Sequence, residues 1–316
     1  MQSCLVTGGA GFIGSHLAEE LVRRGARVRV LDNFSTGKRE NLAAFRNKID
    51  LVEGDIRDLR TCRKSMEGMD FVFHQAALAS VPLSLEDPFL TDETNVGGTL
   101  NVLWAAKEAG VKKLVFASST SVYGDNPDLP KNEEMSGIPL SPYALSKWIG
   151  EKYCQSFSLI YRIPTVILRY FNVFGPRQDP RSQYAAVIPI FIAKMLGGRR
   201  PVIFGDGEQT RDFVFVLDVV EANILAAEAA GGSGEGEIFN IASAESLSVS
   251  ALVRLINDIL GKTLEPVFDP PRPGDIVHSS ANIQKAEERL NYRPRTDFRR
   301  GLEMTIAWFQ EKRRPS

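Results

Sequence analysis

Cysteine and histidine are scarce in this chain, three of each among 316 residues. Cys4, Cys62 and Cys154 stand far apart without metal-ligand spacing, so they read as buried structural thiols. His16, His74 and His278 are equally scattered, which leaves no histidine cluster for zinc, and no metal is expected. No apolar run reaches the length of a membrane span, and strand-like sequence starts at residue 2, leaving no room for a signal peptide. An excess of one charge is missing as well. Lys plus Arg number 38 against 39 Asp plus Glu, so the balance recruits neither nucleic acid nor a membrane surface. Internal repeats and low-complexity tracts are absent. The remaining profile is that of a soluble enzyme, expected in the cytoplasm, with length for a large core and two lobes.

The chain opens with a short apolar strand, Cys4–Thr7, that runs into the glycine-rich turn Gly8-Gly9-Ala10-Gly11-Phe12-Ile13-Gly14. An amphipathic segment follows, with Leu17, Leu21 and Val22 on one side and Glu19, Glu20, Arg23 and Arg24 on the other. Glycines at this spacing permit a tight turn, close backbone approach to a pyrophosphate and close helix–strand packing. The first N–H groups of the helix then face the phosphates. The next strand, Arg27–Leu31, ends at Asp32, where an acid accepts from the adenosine ribose hydroxyls and repels the extra phosphate of NADP. NAD is the cofactor this pattern favours.

Strands and helices alternate thereafter. Ile49–Glu53, Phe71–His74, Leu114–Ser118 and Thr165–Arg169 read as buried strands, with helices near Arg60–Met66, Asn95–Ala109 and Tyr143–Tyr161. The order implies an α/β fold, a Rossmann-like doubly wound parallel sheet with right-handed crossovers. After Tyr170 the elements shorten, and loops with Gly175-Pro176, Pro180, Gly205-Asp206-Gly207 and Pro270-Pro271 interrupt them. A smaller C-terminal α/β lobe is therefore expected over the sheet's carboxyl ends. Leu217–Ala230, a helix, and Glu237–Ile241, a strand, are expected to return to the first lobe.

Tyr143 and Lys147 lie four residues apart and share a helix face. A free phenol titrates near pH 10, so tyrosine is a poor base until a nearby cation favours its anion. Lys147 can be that cation, and a bound nicotinamide ring would add a second positive charge. Taken alone, such a pair is an ordinary solvated helix face. Ser119, at the end of a predicted strand, is a candidate relay hydroxyl.

The series Thr7-Gly8-x-x-Gly11-x-x-Gly14, Asp32-Asn33-Phe34-Ser35-Thr36-Gly37, Gly54-Asp55-Ile56, His74-Gln75-Ala76-Ala77 and Asn95-Val96-x-Gly98-Thr99 continues downstream. There follow Ser118-Ser119-Thr120-Ser121-Val122-Tyr123-Gly124, the Tyr143/Lys147 pair and Leu168-Arg169-Tyr170-Phe171-Asn172-Val173-Phe174-Gly175-Pro176. In this order the motifs resemble the extended short-chain dehydrogenase/reductase family, and within it the nucleotide-sugar 4-epimerases, over essentially the whole chain. The resemblance implies an NAD-binding lobe, residues 1–170 with 214–241 returning to it, and a lobe holding UDP, residues 171–213 and 242–316. It assigns Ser119, Tyr143 and Lys147 to catalysis. To the cofactor it assigns Gly8, Gly11, Phe12, Ile13, Gly14, Asp32, Asn33, Phe34, Ser35, Thr36, Gly37, Asp55, Ile56, Gln75, Ala76, Ala77, Asn95, Ser118, Tyr143, Lys147 and Tyr170. The UDP-sugar falls to Ser80, Ser119, Tyr143, Asn172, Val187, Phe204, Arg211, Arg272, Asp275 and Ser279, with the two arginines as bidentate diphosphate clamps. Arg177 is a further candidate, although a single arginine is more often merely solvated.

Relatives that dehydrate the sugar carry Asp-Glu just before Val-Tyr-Gly, and those that decarboxylate a uronic acid carry Glu there. This chain has Thr120 and Ser121, hydroxyls only, which fits reversible hydride transfer with nothing eliminated. The implied mechanism removes the hydride at C4, turns the 4-keto sugar over and returns the hydride. Ser279 stands where enzymes restricted to unsubstituted sugars carry tyrosine, and Ala79 where the simple galactose enzymes carry lysine. These departures make the chain similar to the bacterial UDP-N-acetylglucosamine 4-epimerases of surface-polysaccharide pathways. A uronic-acid epimerase or another NAD-dependent nucleotide-sugar oxidoreductase would keep most of the motifs, and a non-catalytic NAD-binding regulator would not need Ser119, Tyr143 and Lys147 together. The resemblance also implies a homodimer through a four-helix bundle. Its helices would carry Leu100, Leu103 and Trp104 in one and Trp148, Ile149, Tyr153 and Phe157 in the other.

Overall fold

The computed structural model describes residues 2–180, 187–229, 235–271 and 277–313. Short apolar runs ended by glycine, acid or polar residues become strands, and the amphipathic stretches between them become helices. In chain order these are β1 (Ser3–Thr7), α1 (Phe12–Arg23), β2 (Arg27–Asp32), β3 (Ile49–Glu53), α2 (Leu59–Met66), β4 (Phe71–His74), α3 (Val81–Glu86), α4 (Pro88–Asp92), α5 (Gly98–Ala109), β5 (Lys113–Ser119), α6 (Pro142–Tyr161) and β6 (Thr165–Tyr170). Then come β7 (Asn172–Phe174), α7 (Val187–Leu196), β8 (Val202–Phe204), β9 (Thr210–Phe215), α8 (Val216–Glu228), β10 (Glu235–Ile241), β11 (Ser246–Ser248), α9 (Val249–Leu260), β12 (Val267–Asp269), α10 (Gln284–Leu290) and α11 (Phe298–Arg313).

Seven parallel strands form one sheet in the order β10-β6-β5-β4-β1-β2-β3. The order reverses between β1 and β4, so the crevice that open α/β sheets use for ligands lies at their carboxyl ends. One face of the sheet buries Leu17 and Leu21 of α1 with Val219, Val220 and Ile224 of α8. The other buries Cys62 and Met66 of α2, Val102 and Leu103 of α5, and Cys154 and Phe157 of α6. A separate core joins α7, α9 and α11 to β9 around Phe174, Phe191, Phe213 and Phe215. Among the described residues no helix is long and apolar enough to cross a membrane.

Three expectations need correction. Strand β3, expected to be buried, is the sheet's edge, and only Ile49 of its five residues is fully buried. The helix expected from Asn95 is preceded by a π-helical turn, Glu93–Gly97, before α5 begins. The Thr99 hydroxyl takes the Asn95 carbonyl at 2.5 Å, competing with the backbone ladder there. Finally, residues expected in the second lobe return to the first: Ala281, Ile283, Ala286, Leu290 and Tyr292 lie in the core with α1 and α8.

The loop after β7 docks on α1. Nε2 of His16 donates to the Pro176 carbonyl at 3.0 Å, and Arg177 pairs with Glu19 and reaches Ser15. Burial, and then the charge of Arg177, pull His16 down to about 4. A base with a depressed native pKa gives stability that is present above pH 6.5 and lost as pH falls toward 4. In His16→Gln the amide can still donate to Pro176 but does not titrate. Denaturant melts at pH 7 and pH 5 should show the wild type losing more stability than the variant, by on the order of 1–2 kcal/mol; equal losses would show that His16 does not carry this dependence.

Candidate active site

Most of the predicted cofactor residues stand at the carboxyl ends of strands. Gly8 follows β1, Asp32 ends β2, Asp55 and Ile56 follow β3, Gln75 to Ala77 follow β4, Ser118 and Ser119 end β5, and Tyr170 ends β6. Register places Thr7 beside His74 and Ser119 beside Tyr170. Gly8 is held at φ +66°, where a Cβ would stand 2.7 Å from the Ala76 backbone. A Cβ on Gly14 would stand 2.2 Å from the Gly8 carbonyl oxygen. The turn therefore has room only for glycine at both points. Gly11 starts α1 without a side-chain cap, so the first-turn N–H groups of Phe12, Ile13 and Gly14 suit an anion.

Asp32 braces this turn from below. Its two oxygens accept from the N–H groups of Ala10 and Phe34 at 2.9 and 2.8 Å, and Gly37 packs against the same carboxylate. Burial raises its pKa. Each oxygen has a further lone pair for a ribose hydroxyl. Asn33 donates to Asp55 at 2.8 Å and accepts from Ser35, while the Arg39 guanidinium lies 4.1 Å over the Phe34 ring. Burial works against the charge on Asp55, but Arg57 and Asn33 outweigh it and hold the carboxyl at about 2. Thr36 is exposed on this same loop.

His74 shows how the strand ends are fixed. Because the Thr99 hydroxyl donates to Asn95, it accepts from His74 Nε2 at 3.0 Å, and Nδ1 accepts from Thr7 at 2.7 Å. Thr7 in turn accepts from the Ala76 N–H. Burial pulls His74 down to about 3, so the ring is neutral. Gln75, Tyr170 and Asn223 form a second buried set, with Gln75 donating to both partners. Burial pushes the Tyr170 phenol up. Asn95, assigned to the cofactor, accepts from the Leu78 N–H and donates to the Leu78 carbonyl and the Ser146 hydroxyl, joining the β4 loop to α6. Ser80, assigned to the sugar, caps α3 through the Leu83 N–H.

Helix α6 begins where Ser141 accepts from the Ala144 N–H and Pro142 fixes the first helical residue. Tyr143 is thereby held in the first turn, half-buried, with Ser119 close enough to its hydroxyl to act on it. Ser119 also accepts from the Ser121 N–H at 3.2 Å. Burial raises the Tyr143 pKa, and Ser119 opposes the rise. Lys147, one turn on, directs its ammonium to the Ala117 carbonyl at 2.8 Å rather than to the phenol itself. Burial lowers Lys147 to about 8.

A cleft of about 580 Å³ is lined by Asn172, Val187, Phe204 and Arg211 together with Phe191, Lys194, Gln209 and Asp269. The size is that of a nucleotide-scale site. Asn172 donates to the Asp212 carbonyl, and Arg211 to the carbonyls of Thr210 and Val277. Asp212, buried under the strand, is raised to about 6 by that burial. Ser279 is half-buried, its N–H donating to Thr210 at 3.1 Å, which sets it beside the Arg211 strand. Arg272 and Asp275 lie outside the described residues. Lys194, Gln209 and Asp269 escaped the sequence reading, although Lys194 shares the helical spacing of Val187 and Phe191.

Residues 4–242 match the NAD dependent epimerase/dehydratase family. The chain is similar to a putative UDP-glucose 4-epimerase of Methanocaldococcus jannaschii, 41% identical over 312 residues that cover 98% of this chain and 99% of that one. Among solved structures it is similar to UDP-N-acetylglucosamine 4-epimerase of Methanobrevibacter ruminantium in complex with UDP-N-acetylmuramic acid, with 41% identity, TM-score 0.94 and coverage of 98% and 99%. It is also similar to UDP-glucose 4-epimerase of Thermotoga maritima with UDP-glucose, with 40% identity, TM-score 0.93 and coverage of 98% and 99%.

Proposed function

Because the chain belongs to the NAD dependent epimerase/dehydratase family, we propose that it is a UDP-sugar 4-epimerase that accepts N-acetylated sugars, UDP-GlcNAc and UDP-GalNAc, beside UDP-glucose and UDP-galactose. The observation that carries the reading is the placement of Ser119, at the end of β5, beside the Tyr143 phenol, where it opposes the rise in the phenol's pKa, next to a turn whose residues 120 and 121 are hydroxyls rather than acids. A reaction that eliminates water or carbon dioxide needs another proton carrier at that point. Reversible oxidation of one carbinol needs only the phenol and its relay.

The glycine turn and the uncapped start of α1 fit a dinucleotide, with Asp32 at the ribose and Gln75 to Ala77 along the strand ends. NAD, when bound, supplies the hydride acceptor and donor for C4 of the sugar. Tyr143 receives the proton of the 4-hydroxyl, directly or through Ser119, and later gives one back. Since burial alone disfavours the phenolate, positive charge in the filled site must favour it, from Lys147 and the cofactor ring. Arg211 and Asn172, with Arg272, anchor the diphosphate, Val187 and Phe204 the uracil and ribose, and Asp275 a ribose hydroxyl. Holding the nucleotide tightly leaves the sugar free to present either face. Residues 1–170 with 214–241 then serve NAD, and 171–213 with most of 242–316 serve UDP.

Tyr143→Phe should keep fold and NAD while losing about 10²–10⁴-fold in epimerisation, read by coupled assay on UDP-GlcNAc and UDP-glucose without added NAD. Near-normal turnover would remove Tyr143 as the base.

Sugar choice is testable at residue 279. If Ser279 leaves room for the acetamido group, Ser279→Tyr should abolish turnover of both N-acetylated sugars and spare the unsubstituted pair, because overpacking costs about 1–3 kcal/mol. A panel that includes the two uronates decides it: equal loss on both classes, or none, would unseat Ser279 as the gate.

Assembly as a homodimer is part of the same proposal. Leu103 and Phe157 fill the chain's own core, contrary to the expectation that they would face a partner. Yet Leu145, Trp148, Leu159 and Ile160 of α6, with Leu85 and Phe89 beside it, remain exposed, Phe89 by 80%. A contiguous apolar face of this kind is what an isologous contact covers. Light scattering at micromolar concentration should report twice the chain mass; a monomer would contradict the assignment.

A further inference from the structure

Behind the proton carriers lies a buried charge that the mechanism above does not use. Tyr143, Lys147 and Glu151 succeed one another at intervals of four on α6, so they share one face. Glu151 is fully buried and Arg169 of β6 is 5% exposed. They form a forked pair, with Nε donating to Oε1 at 2.9 Å and Nη2 to Oε2 at 2.8 Å. Ser118 donates to the same Oε1 at 2.5 Å. One carboxylate thus ties together the end of β5, which carries Ser119, the helix that carries Tyr143 and Lys147, and the strand that ends at Tyr170. Arg169 is held in turn, its guanidinium 4.6 Å over the Tyr123 ring and its Nη1 donating to the Glu133 carbonyl at 3.3 Å.

Stability does not explain such a pair. Burying two charges costs about as much as their attraction returns, and apolar replacements of similar volume are often neutral or stabilising. A buried pair does fix geometry, because each member accepts only one arrangement of its neighbours.

Charge supplies a second argument. Lys147 faces the Ala117 carbonyl and, at 5.2 Å, the Phe116 ring from β5. From β4 it faces His74, which is neutral, and from α6 the Cys154 thiol, which burial pushes up, together with Tyr143 and Glu151. Glu151 is the formal negative charge in this set, with Arg169 of β6 behind it. Burial brings Lys147 down to about 8, and the Glu151 carboxylate opposes that fall. Without the carboxylate that opposition is lost and the neutral amine forms at lower pH.

We propose that Glu151 is a positioning residue for the Tyr143/Lys147 pair: it fixes the Ser119 strand end against α6 and keeps the Lys147 ammonium charged, with Arg169 holding it in place. This rests on the epimerase reading for its kinetic consequence, but the charge on Lys147 can be read without turnover.

The test uses the NAD-loaded protein in three forms: wild type, Glu151→Gln, and the double variant Glu151→Met with Arg169→Met. Glu151→Gln strands a buried guanidinium and should melt earlier. The double variant removes both charges, so its melting temperature should return toward wild type. In both variants kcat should stay roughly 10–100-fold down with KM little changed, and the alkaline limb of kcat should move to lower pH. The Lys147 Nζ signal, assigned by loss in Lys147→Arg and followed by ¹⁵N NMR, should titrate at lower pH in Glu151→Gln, and by less in the double variant, which removes the Arg169 charge as well. Recovery of kcat along with stability in the double variant, or an unmoved Lys147 titration in Glu151→Gln, would reduce the pair to scaffold and overturn the proposal. If wild type turns over none of the sugars, the epimerase reading fails alone, and the NMR titration still decides the role of Glu151.

Discussion

The glycine turn at the carboxyl end of β1 depends on two close approaches, that of the Gly8 carbonyl to the backbone of Gly14 and that of Gly8 itself to Ala76. At 2.2 and 2.7 Å from where side-chain carbons would be, these contacts leave no room for any other residue. They bring the start of α1, the end of β1 and the loop after β4 into one plane of packed backbone. Asp32 reinforces it by accepting from Ala10, and Thr7 reinforces it by linking Ala76 to the neutral His74 ring. The uncapped first-turn N–H groups of α1 stand on that packed backbone. The positions of Tyr143 and Ser119 are fixed separately, by Ser141 and Pro142 at the start of α6 and by the Ser119 turn.

Much of this was legible in the sequence, for identifiable reasons. Strand ends announce themselves because an apolar run stops at glycine, acid or hydroxyl, so Asp32, Ser119 and Tyr170 could be placed before any coordinates. Tyr143 and Lys147 are local, and helical spacing puts them on one face. Some polar roles lie beyond spacing. Asn95 sits within a cofactor motif, and its amide also joins Leu78 to Ser146, partners that no spacing rule connects to it. Ser80, read as a pocket residue, also caps α3, because caps and ligand contacts favour the same small hydroxyl.

What stayed hidden is the long-range polar wiring. Gln75, Tyr170 and Asn223 come together across three separate stretches of chain, and so do Ser118, Glu151 and Arg169. Periodicity cannot reveal such sets, because each partner looks like an ordinary residue of its own element. Glu151 comes nearest to being readable, since it continues the face of Tyr143 and Lys147 by one more turn. Only its partners on β5 and β6 distinguish it from a solvated glutamate. The Tyr143/Lys147 pair shows a different limit: spacing put the two groups on one face but could not say that the ammonium would donate to the Ala117 carbonyl.

The chain leaves the central sheet at Tyr170 and re-enters it only at β10, the strand that pairs with β6. Between them it builds much of the second core, and afterwards it sends Tyr292 back beneath the sheet. During synthesis, therefore, β6 waits with an open, hydrogen-bonding edge until the later strand has left the ribosome. The two cores cannot be cut apart at one point of the chain, because segments of each lie between segments of the other.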